Sequence, residues 1–405
     1  MKKPLLLSIG GLLAMAAGLG IGRFVYTPIL PPMVEALQLT KGQAGLIASA
    51  NFIGYLAGAL LGALRLPGPR RTWLLAALAL NAICLAGMGA TSTMPAFIAW
   101  RLIAGAASAF VLIFSSSLVL DRLAAAGRAS LSAVHFAGVG VGIALSAVLV
   151  AALLGAHASW TLLWFASAAL SAAAGIAVAL LVPADDGVQQ AARAQSKSSR
   201  SPGLAALILA YGLFGFGYVI TATFIVDLVR GTPAIAHLEP YIWLVVGLSA
   251  VPSVALWTAL GARWGVLRAY IVANLVEAVG VAASALWVQT AGVIVAAIFL
   301  GGTFVGLTAL GLVAARDGSG GDPRRRIALM TVSFSLGQIL GPIFAGHLYD
   351  ATGSLSTPSL AAAGALVLAA LLSALALHQR RVNPSPPQPF QVKGKSCWRT
   401  KPGGM

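Results

Sequence analysis

The chain has 405 residues, of which 59% are hydrophobic, only 9% are charged and 46 are glycine. Soluble domains are about a quarter charged and about half apolar, so this composition excludes an ordinary water-soluble enzyme and selects an integral membrane protein. The formal net charge of +16 does not point to nucleic acid, because the basic residues punctuate long apolar runs and do not cluster on one polar face.

A hydrocarbon core of about 30 Å takes roughly 20 apolar residues per helix. Twelve segments meet that length, at residues 5–31, 43–64, 72–92, 95–120, 130–155, 159–182, 203–229, 240–261, 267–288, 291–315, 327–349 and 358–378. Lys2-Lys3 and Ala14-x-Ala16 imitate a signal peptide, but the apolar pattern continues past residue 16, so the segment is read as a retained first helix. The longest polar interruption, residues 183–202, separates an N-terminal six-helix bundle (1–182) from a C-terminal one (203–378) and reads as a flexible linker. Residues 379–405 are Pro-rich and basic and read as a disordered tail, with arginines beside the last helix able to contact anionic membrane lipids. Gly-Lys-Ser at 394–396 lacks the preceding Gly-x-x-x-x-Gly, so it is not a phosphate loop. Cys84 and Cys397 sit in incompatible positions and have no metal-ligand spacing. No cofactor or metal site is expected.

Orientation follows from the placement of Lys and Arg in short loops. With the N-terminus in the cytoplasm, 22 of the 26 basic residues fall at cytoplasmic positions, Lys41 and Arg230 fall outside, and Arg23 and Arg101 lie within helices. Both termini are therefore expected in the cytoplasm of a multi-pass inner-membrane protein.

The two halves resemble each other at an offset near 195 to 198 residues. Gly20-Ile-Gly-Arg-Phe24 in helix 1 is echoed by Gly215-Phe-Gly-Tyr-Val219 in helix 7, Gly105 falls on Gly302, and RASLSAVHF (128–136) falls on RIALMTVSF (326–334). Paired six-helix halves imply a transporter with a central site near the bilayer midplane. The chain resembles the major facilitator superfamily over residues 1–380. Within it, the chain resembles the bacterial YbfB/YjiJ group through GIGRFVYTPILPPM in helix 1, QAGLIASANFIGYLAG in helix 2, YGLFGFGYVITATF in helix 7 and GQILGP in helix 11. The superfamily's loop signature after helix 2 is only partly met: Gly62, Leu64, Arg70 and Arg71 match, while Leu66 stands in the Asp position. The helix 4 signature Arg-x-x-x-Gly is met by Arg101 and Gly105, and the Gly-Pro pair that marks helix 5 of many antiporters is absent. The resemblance implies an all-α membrane protein with twelve transmembrane helices in two pseudo-symmetric six-helix bundles, the major facilitator fold, acting as a monomer.

Charges inside a bilayer are costly unless paired or hydrated, which makes Arg23 and Arg101 the most informative positions. Arg23 lies about eight residues before Pro31, roughly 12 Å from the outer boundary, and Arg101 lies roughly 9 Å from it. Side chains lean toward their helix N-terminus, so Arg23 leans inward, whereas Arg101 can also snorkel outward. Arg23 shares a helical face with Tyr26 and Thr27, and Arg101 shares one with Gly105, Ser108 and Ser115. Tyr218, aligned with Arg23, either projects toward the same cavity or packs as an aromatic. Gln338 shares a face with Thr331, Ser335 and Pro342, a polar and kinked stripe beside the cavity.

The N-terminal half carries no intramembrane acid, and the C-terminal half carries Asp227 and Glu277 but no intramembrane arginine. Arg23 or Arg101 is therefore expected to bind an anionic group of a small-molecule substrate, or to pair with Asp227 when the outer side is closed. Arginine does not titrate, so proton coupling falls to Glu277, Asp227 or His135. The structural alternatives are that Glu277 partners Asn274, that Asp227 is merely solvated, and that His135 belongs to a packing stripe with Gly138 and Gly142. The expected function is secondary active transport driven by the proton gradient, with a carboxylate-bearing substrate favoured. A broad-specificity efflux antiporter, its cavity lined by Phe24, Tyr26, Phe214 and Tyr218, and a non-transporting sensor on the same fold are the alternatives.

Overall fold

The computed structural model describes residues 2–64, 66–183, 203–316 and 323–382. Most of the expected linker and the tail beyond residue 382 lie outside the described residues. Twelve spans are long and apolar enough to cross a membrane, and among the described residues fourteen α-helices build them. The first span joins α1 (Lys2–Met15) to α2 (Tyr26–Leu37), and the next five are α3 (Lys41–Gly62), α4 (Arg70–Ala90), α5 (Met94–Ala125), α6 (Ser132–Gly155) and α7 (Trp160–Leu181). The second half runs through α8 (Leu204–Arg230), a split eighth span of α9 (Glu239–Ala250) and α10 (Ser253–Trp264), then α11 (Val266–Leu286), α12 (Thr290–Arg316), α13 (Pro323–Thr352) and α14 (Ser356–Val382). The face carrying residues 4, 183, 203 and 382 is called the terminal side here, and the opposite face the distal side.

In lipid every backbone polar group must be satisfied within the protein, so helix ends and breaks are where sequence chemistry shows. Thr40 starts α3 with a capping box: its hydroxyl accepts from Gln43 N at 3.1 Å and Gln43 Oε1 accepts from Thr40 N at 2.9 Å. The first span is expected to run unbroken from 5 to 31, yet it breaks after a π-helical segment, Ala16–Ile21, and restarts at Tyr26. Pro28 explains the break, since it has no N–H to give Phe24 and its ring crowds that carbonyl. Thr27 N turns to Phe24 O instead, at 3.2 Å. Because the helix restarts here, Pro28 falls in a first turn where its N–H is not needed, and the span continues through Pro31 and Pro32 to Leu37. Arg23 thus lies near the middle of a span covering Pro4–Leu37, deeper than a helix ending at Pro31 would place it. At the other end, α14 continues to Val382, past the expected limit at 378, and Arg380 donates to Ala314 O at 3.3 Å.

The first six spans pack on one another, as do the last six. The two bundles meet along two related seams, α3 against α13 and α6 against α9. Both seams depend on backbone approaching backbone, as small residues allow in membranes. A methyl group on Gly45 would overlap the Pro342 carbonyl oxygen, and one on Gly140 would lie 2.5 Å from Val251 N. The repeat shifts in one place. Gly105 is pressed against Asn51 O, but Gly302, its sequence counterpart, has open space, and it is Gly301 that packs on Val246 O.

The α3–α13 seam lies toward the distal side, where Ser49 Oγ donates to Ile339 O at 2.7 Å. A Gly45→Leu substitution cannot be accommodated while this seam is closed. In detergent it is expected to raise labelling of a Ser49→Cys probe by an impermeant maleimide at least severalfold over the same probe with Gly45 intact. Equal labelling would show that the seam does not hold the distal side shut.

Candidate substrate cavity

The break in the first span builds the site. A π-helical turn and a restart free carbonyls that an unbroken helix would use, and the N-terminal bundle covers them one by one. Gly18 O accepts from Ser108 Oγ at 2.7 Å and from Asn81 Nδ2 at 3.0 Å. Gly22 O and Arg23 O accept from Arg101 Nη1 and Nη2 at 3.4 and 3.2 Å. Arg101 is 2% exposed. Its guanidinium lies 4.9 Å from the Tyr26 ring centroid, and Asn51 Nδ2 donates to its carbonyl at 3.1 Å. The first helical segment ends at these carbonyls, so the arginine also faces the negative end of its dipole. Arg101 and Ser108 therefore act on the helix break, and neither lines a cavity.

Arg23 points the other way. Its guanidinium sits over the rings of Phe52, Tyr55 and Phe24 at 4.4, 4.8 and 5.4 Å, and its Nε and Nη2 have no hydrogen-bond partner. It lines a cavity of about 550 Å³ that reaches from mid-membrane to the terminal side, where Leu120, Ser132, Arg316 and Ile327 form the mouth. The walls are mostly apolar, including Met15, Leu19, Phe136, Val139, Val254 and Leu312. Across from Arg23 stands Tyr218, its ring nearly parallel to those of Phe304 and Phe334, at 10° and 6°, with centroids 5.6 and 5.9 Å away. Gln338 Nε2 donates to the Tyr218 hydroxyl, and Gln338 Oε1 is left unpartnered. The structure thus brings together Arg23, Tyr218 and Gln338 among the residues chosen from sequence.

The other nominated residues lie elsewhere. Thr27 Oγ1 donates across the bundles to Ala222 O at 2.7 Å, and Tyr26 donates to Ala44 O at 2.8 Å; both belong to the distal floor. His135 is buried between α6 and its neighbours, with Nε2 3.3 Å from Ser116 Oγ, and it is Phe136 that faces the cavity. The expected pairing of Asp227 with an intramembrane arginine is not what forms. Asp227 Oδ1 pairs with Lys41 Nζ at 2.6 Å, because Lys41 starts α3 directly beside the distal end of α8. Glu277 does not bond to Asn274, whose Nδ2 is taken by Tyr270 O at 2.9 Å.

Sequence reasoning missed the distal closure. Besides Lys41–Asp227, the Asp350 carboxylate accepts from Lys41 N at 3.0 Å and Gly42 N at 2.8 Å, an anion from one bundle on a helix N-terminus of the other. Arg230 pairs with Glu35 across the bundles and with Glu239 at 3.1 Å within its own. A signal was present, since Lys41 and Arg230 are the two basic residues that break the loop charge bias. Tyr55, Phe304 and Phe334 were missed because one aromatic in an apolar helix looks like another until packing selects a face.

Residues 15–374 match the model of a family described as uncharacterised MFS-type transporter YbfB. The chain is also 27% identical over 374 residues to a chloramphenicol resistance protein of Streptomyces lividans, a match covering 90% of this chain and 94% of that one. At the level of fold it is similar to the nucleoside transporter NupG, with a TM-score of 0.66 and 19% identity over 93% of this chain and 99% of that one. A bacterial homologue of the lysosomal transporter Spinster, solved inward-facing and unoccupied, gives 0.65 and 15%, covering 94% and 98%. The human organic anion transporter MFSD10 (TETRAN) gives 0.62 and 17%, covering 92% and 100%.

The two arginines should separate in a stability measurement. Arg101→Leu leaves two buried carbonyls dry, at about 1–3 kcal/mol each, whereas Arg23→Leu removes ring contacts worth about 0.5–2 kcal/mol. The thermal midpoint of the purified protein is expected to fall markedly further for Arg101→Leu, and equal falls would refute the distinction.

Proposed function

We propose that this chain, which belongs to the YbfB-type family of the major facilitator superfamily, moves small organic anions with apolar or aromatic bodies across a bacterial inner membrane by alternating access. What carries the reading is Arg23: a cation at mid-membrane, with two unpartnered N–H groups, in a cavity whose other walls are largely apolar. A guanidinium held over aromatic rings, with Nε and Nη2 buried and unpartnered, lacks the two-point acceptor that a carboxylate would supply. The Tyr218, Phe304 and Phe334 stack supplies a surface for an aromatic body, and Gln338 Oε1 lies behind Tyr218 as a further acceptor.

With the basic loops in the cytoplasm, the terminal side faces inward and the structure corresponds to an inward-open state. The distal contacts, Lys41–Asp227, Glu35–Arg230 and Asp350 on the start of α3, then form the outer closure. Outward opening requires all three to part together with the α3–α13 seam. Charged side chains and a helix N-terminus suit that task, because water can take over each contact as it breaks.

A second reading, efflux of uncharged aromatic compounds, is favoured by the similarity to a chloramphenicol resistance protein and by the aromatic walls, and it assigns Arg23 no ligand contact. Thermal shift of the purified protein with benzoate, with short aliphatic carboxylates and with chloramphenicol separates the two. On the first reading benzoate stabilises the wild type. Arg23→Ala then weakens benzoate binding by about 30-fold or more, the loss expected when a buried charge pair worth about 2–5 kcal/mol is broken. A shift with chloramphenicol alone, unchanged in Arg23→Ala, would establish the second.

A further inference from the structure

Glu277 has no part in the cavity just described, yet it is the most isolated ionisable group of the C-terminal bundle. It is 0% exposed, at mid-length of α11, and neither carboxyl oxygen has a hydrogen-bond partner. Ionised, it would be a carboxylate buried without a counter-charge, an arrangement that costs several kcal/mol in lipid or protein interior.

The hydrogen bonds around it decide which form fits. Thr303 on α12 is a polar neighbour, but its hydroxyl donates to Phe299 O at 2.5 Å and is not left to donate to a carboxylate. On its own helix, Asn274 has spent Nδ2 on Tyr270 O and keeps Oδ1, an acceptor. The Tyr270 hydroxyl is itself without a hydrogen-bond partner, so it donates to neither Asn274 nor Glu277. An ionised carboxylate only accepts, whereas a protonated carboxyl has one hydrogen to donate. The surroundings therefore suit the protonated form.

Among the described residues, the helices packed against α11 bring no cation to Glu277. Tyr211 and Tyr218 are the titratable groups that α8 turns toward this region, while Asp227 and Arg230 lie at its distal end. The ionisable groups of α10, α12 and α14 are Arg263, Arg316, His378, Arg380 and Arg381, all at the terminal-side ends. Phe304, next to Thr303 on α12, and Tyr218 line the cavity, whereas Glu277 does not.

We propose that Glu277 is a proton-binding site of the C-terminal bundle, holding a proton in the terminal-open state and releasing it to water when the bundles exchange and this packing loosens. The step is simple acid dissociation: the O–H bond breaks, the electron pair stays on the carboxylate and water takes the proton. The inference rests on the alternating-access reading above but not on the identity of the substrate.

Two measurements on the full chain in lipid bilayers test it without a substrate. Infrared spectroscopy at neutral pH should show the C=O stretch of a protonated carboxyl that is missing in Glu277→Gln. Spin labels at Gln38→Cys and Ala351→Cys, on opposite bundles at the distal surface, should report opening as pH rises. From about pH 6 to about pH 9 the open-to-closed ratio is expected to change at least about tenfold in the wild type, matching a tenfold difference in proton affinity between the two states, and to stay flat in Glu277→Gln. Absence of the carboxyl band, or a wild-type pH response in Glu277→Gln, would overturn the proposal. The Gly45→Leu variant separates the failures. Labels that separate in Gly45→Leu but not with pH count against Glu277 alone, and labels that never separate count against alternating access itself.

Discussion

A transmembrane helix that stops and restarts inside the bilayer exposes carbonyls to a medium that offers no donors, and everything central to this protein depends on how that problem is solved. Pro28 favours the break by giving Phe24 O no N–H, and Arg101 makes it tolerable by giving two N–H groups to Gly22 O and Arg23 O from a neighbouring helix. The same contact neutralises the arginine. A cation this deep needs negative potential, and a helix C-terminus with bare carbonyls provides it without any acid. Asn81 and Ser108 cover Gly18 O, so with Arg101 three polar side chains from α4 and α5 stabilise one irregular stretch of the first span, while Asn51 of α3 holds the Arg101 carbonyl. Because that stretch is fixed, the backbone at residue 23 is fixed, and the Arg23 side chain leaves it toward the cavity. The two intramembrane arginines are therefore not equivalent: one is bound to the backbone that presents the other.

Closure of the distal side uses a different kind of contact. Where the bundles meet inside the membrane, a glycine of one lies against backbone of the other with no side chain between them, as at Gly45 against Pro342 and Gly140 against Val251. Such contacts are gained or lost as a unit, since a small rotation separates a whole stripe. At the surface the closure is ionic, and Asp350 reaches the start of α3, where an anion is favoured whatever the side-chain sequence around it. The dry seam gives the closed state its shape, and the wet ion pairs make its opening reversible.

Much of this was legible in the sequence. Span number followed from hydropathy, because a run of twenty apolar residues is seldom anything but a membrane crossing, and Arg23, Tyr218 and Gln338 were singled out because polar residues inside such runs are rare; the first two line one cavity and the third bonds the second. Arg101 was found for the same reason and given the wrong task, since its depth is readable but its partner is a carbonyl created by a helix break on another span. The break itself was written in Pro28, yet a proline near a helix end is ordinary, and only the extension to Leu37 shows that Pro28 lies inside. Asp227 was paired with the wrong cation for a related reason. Sequence can pair signs, but proximity is decided where α3 begins, at Lys41, a residue that loop counting had set aside as an exception.

The division of signs between the halves has a chemical consequence. Arginine stays charged at any relevant pH, is weakly hydrated and stacks on aromatic faces, so Arg23 can stand charged in a largely apolar cavity against the rings of Phe24, Phe52 and Tyr55. Glutamic acid can be discharged, so Glu277 can be sealed in a dry wall where an arginine would have to find a partner. Among the described residues, each half thus holds a buried ionisable group without an ion-pair partner, Arg23 beside the cavity and Glu277 sealed inside the C-terminal bundle. The two do not touch, since Arg23 and Tyr218 line the cavity and Glu277 does not. On the two proposals above, coupling between anion and proton would pass through the packing between them, so the aromatic stack would both receive the ligand and be the element whose movement exposes the acid.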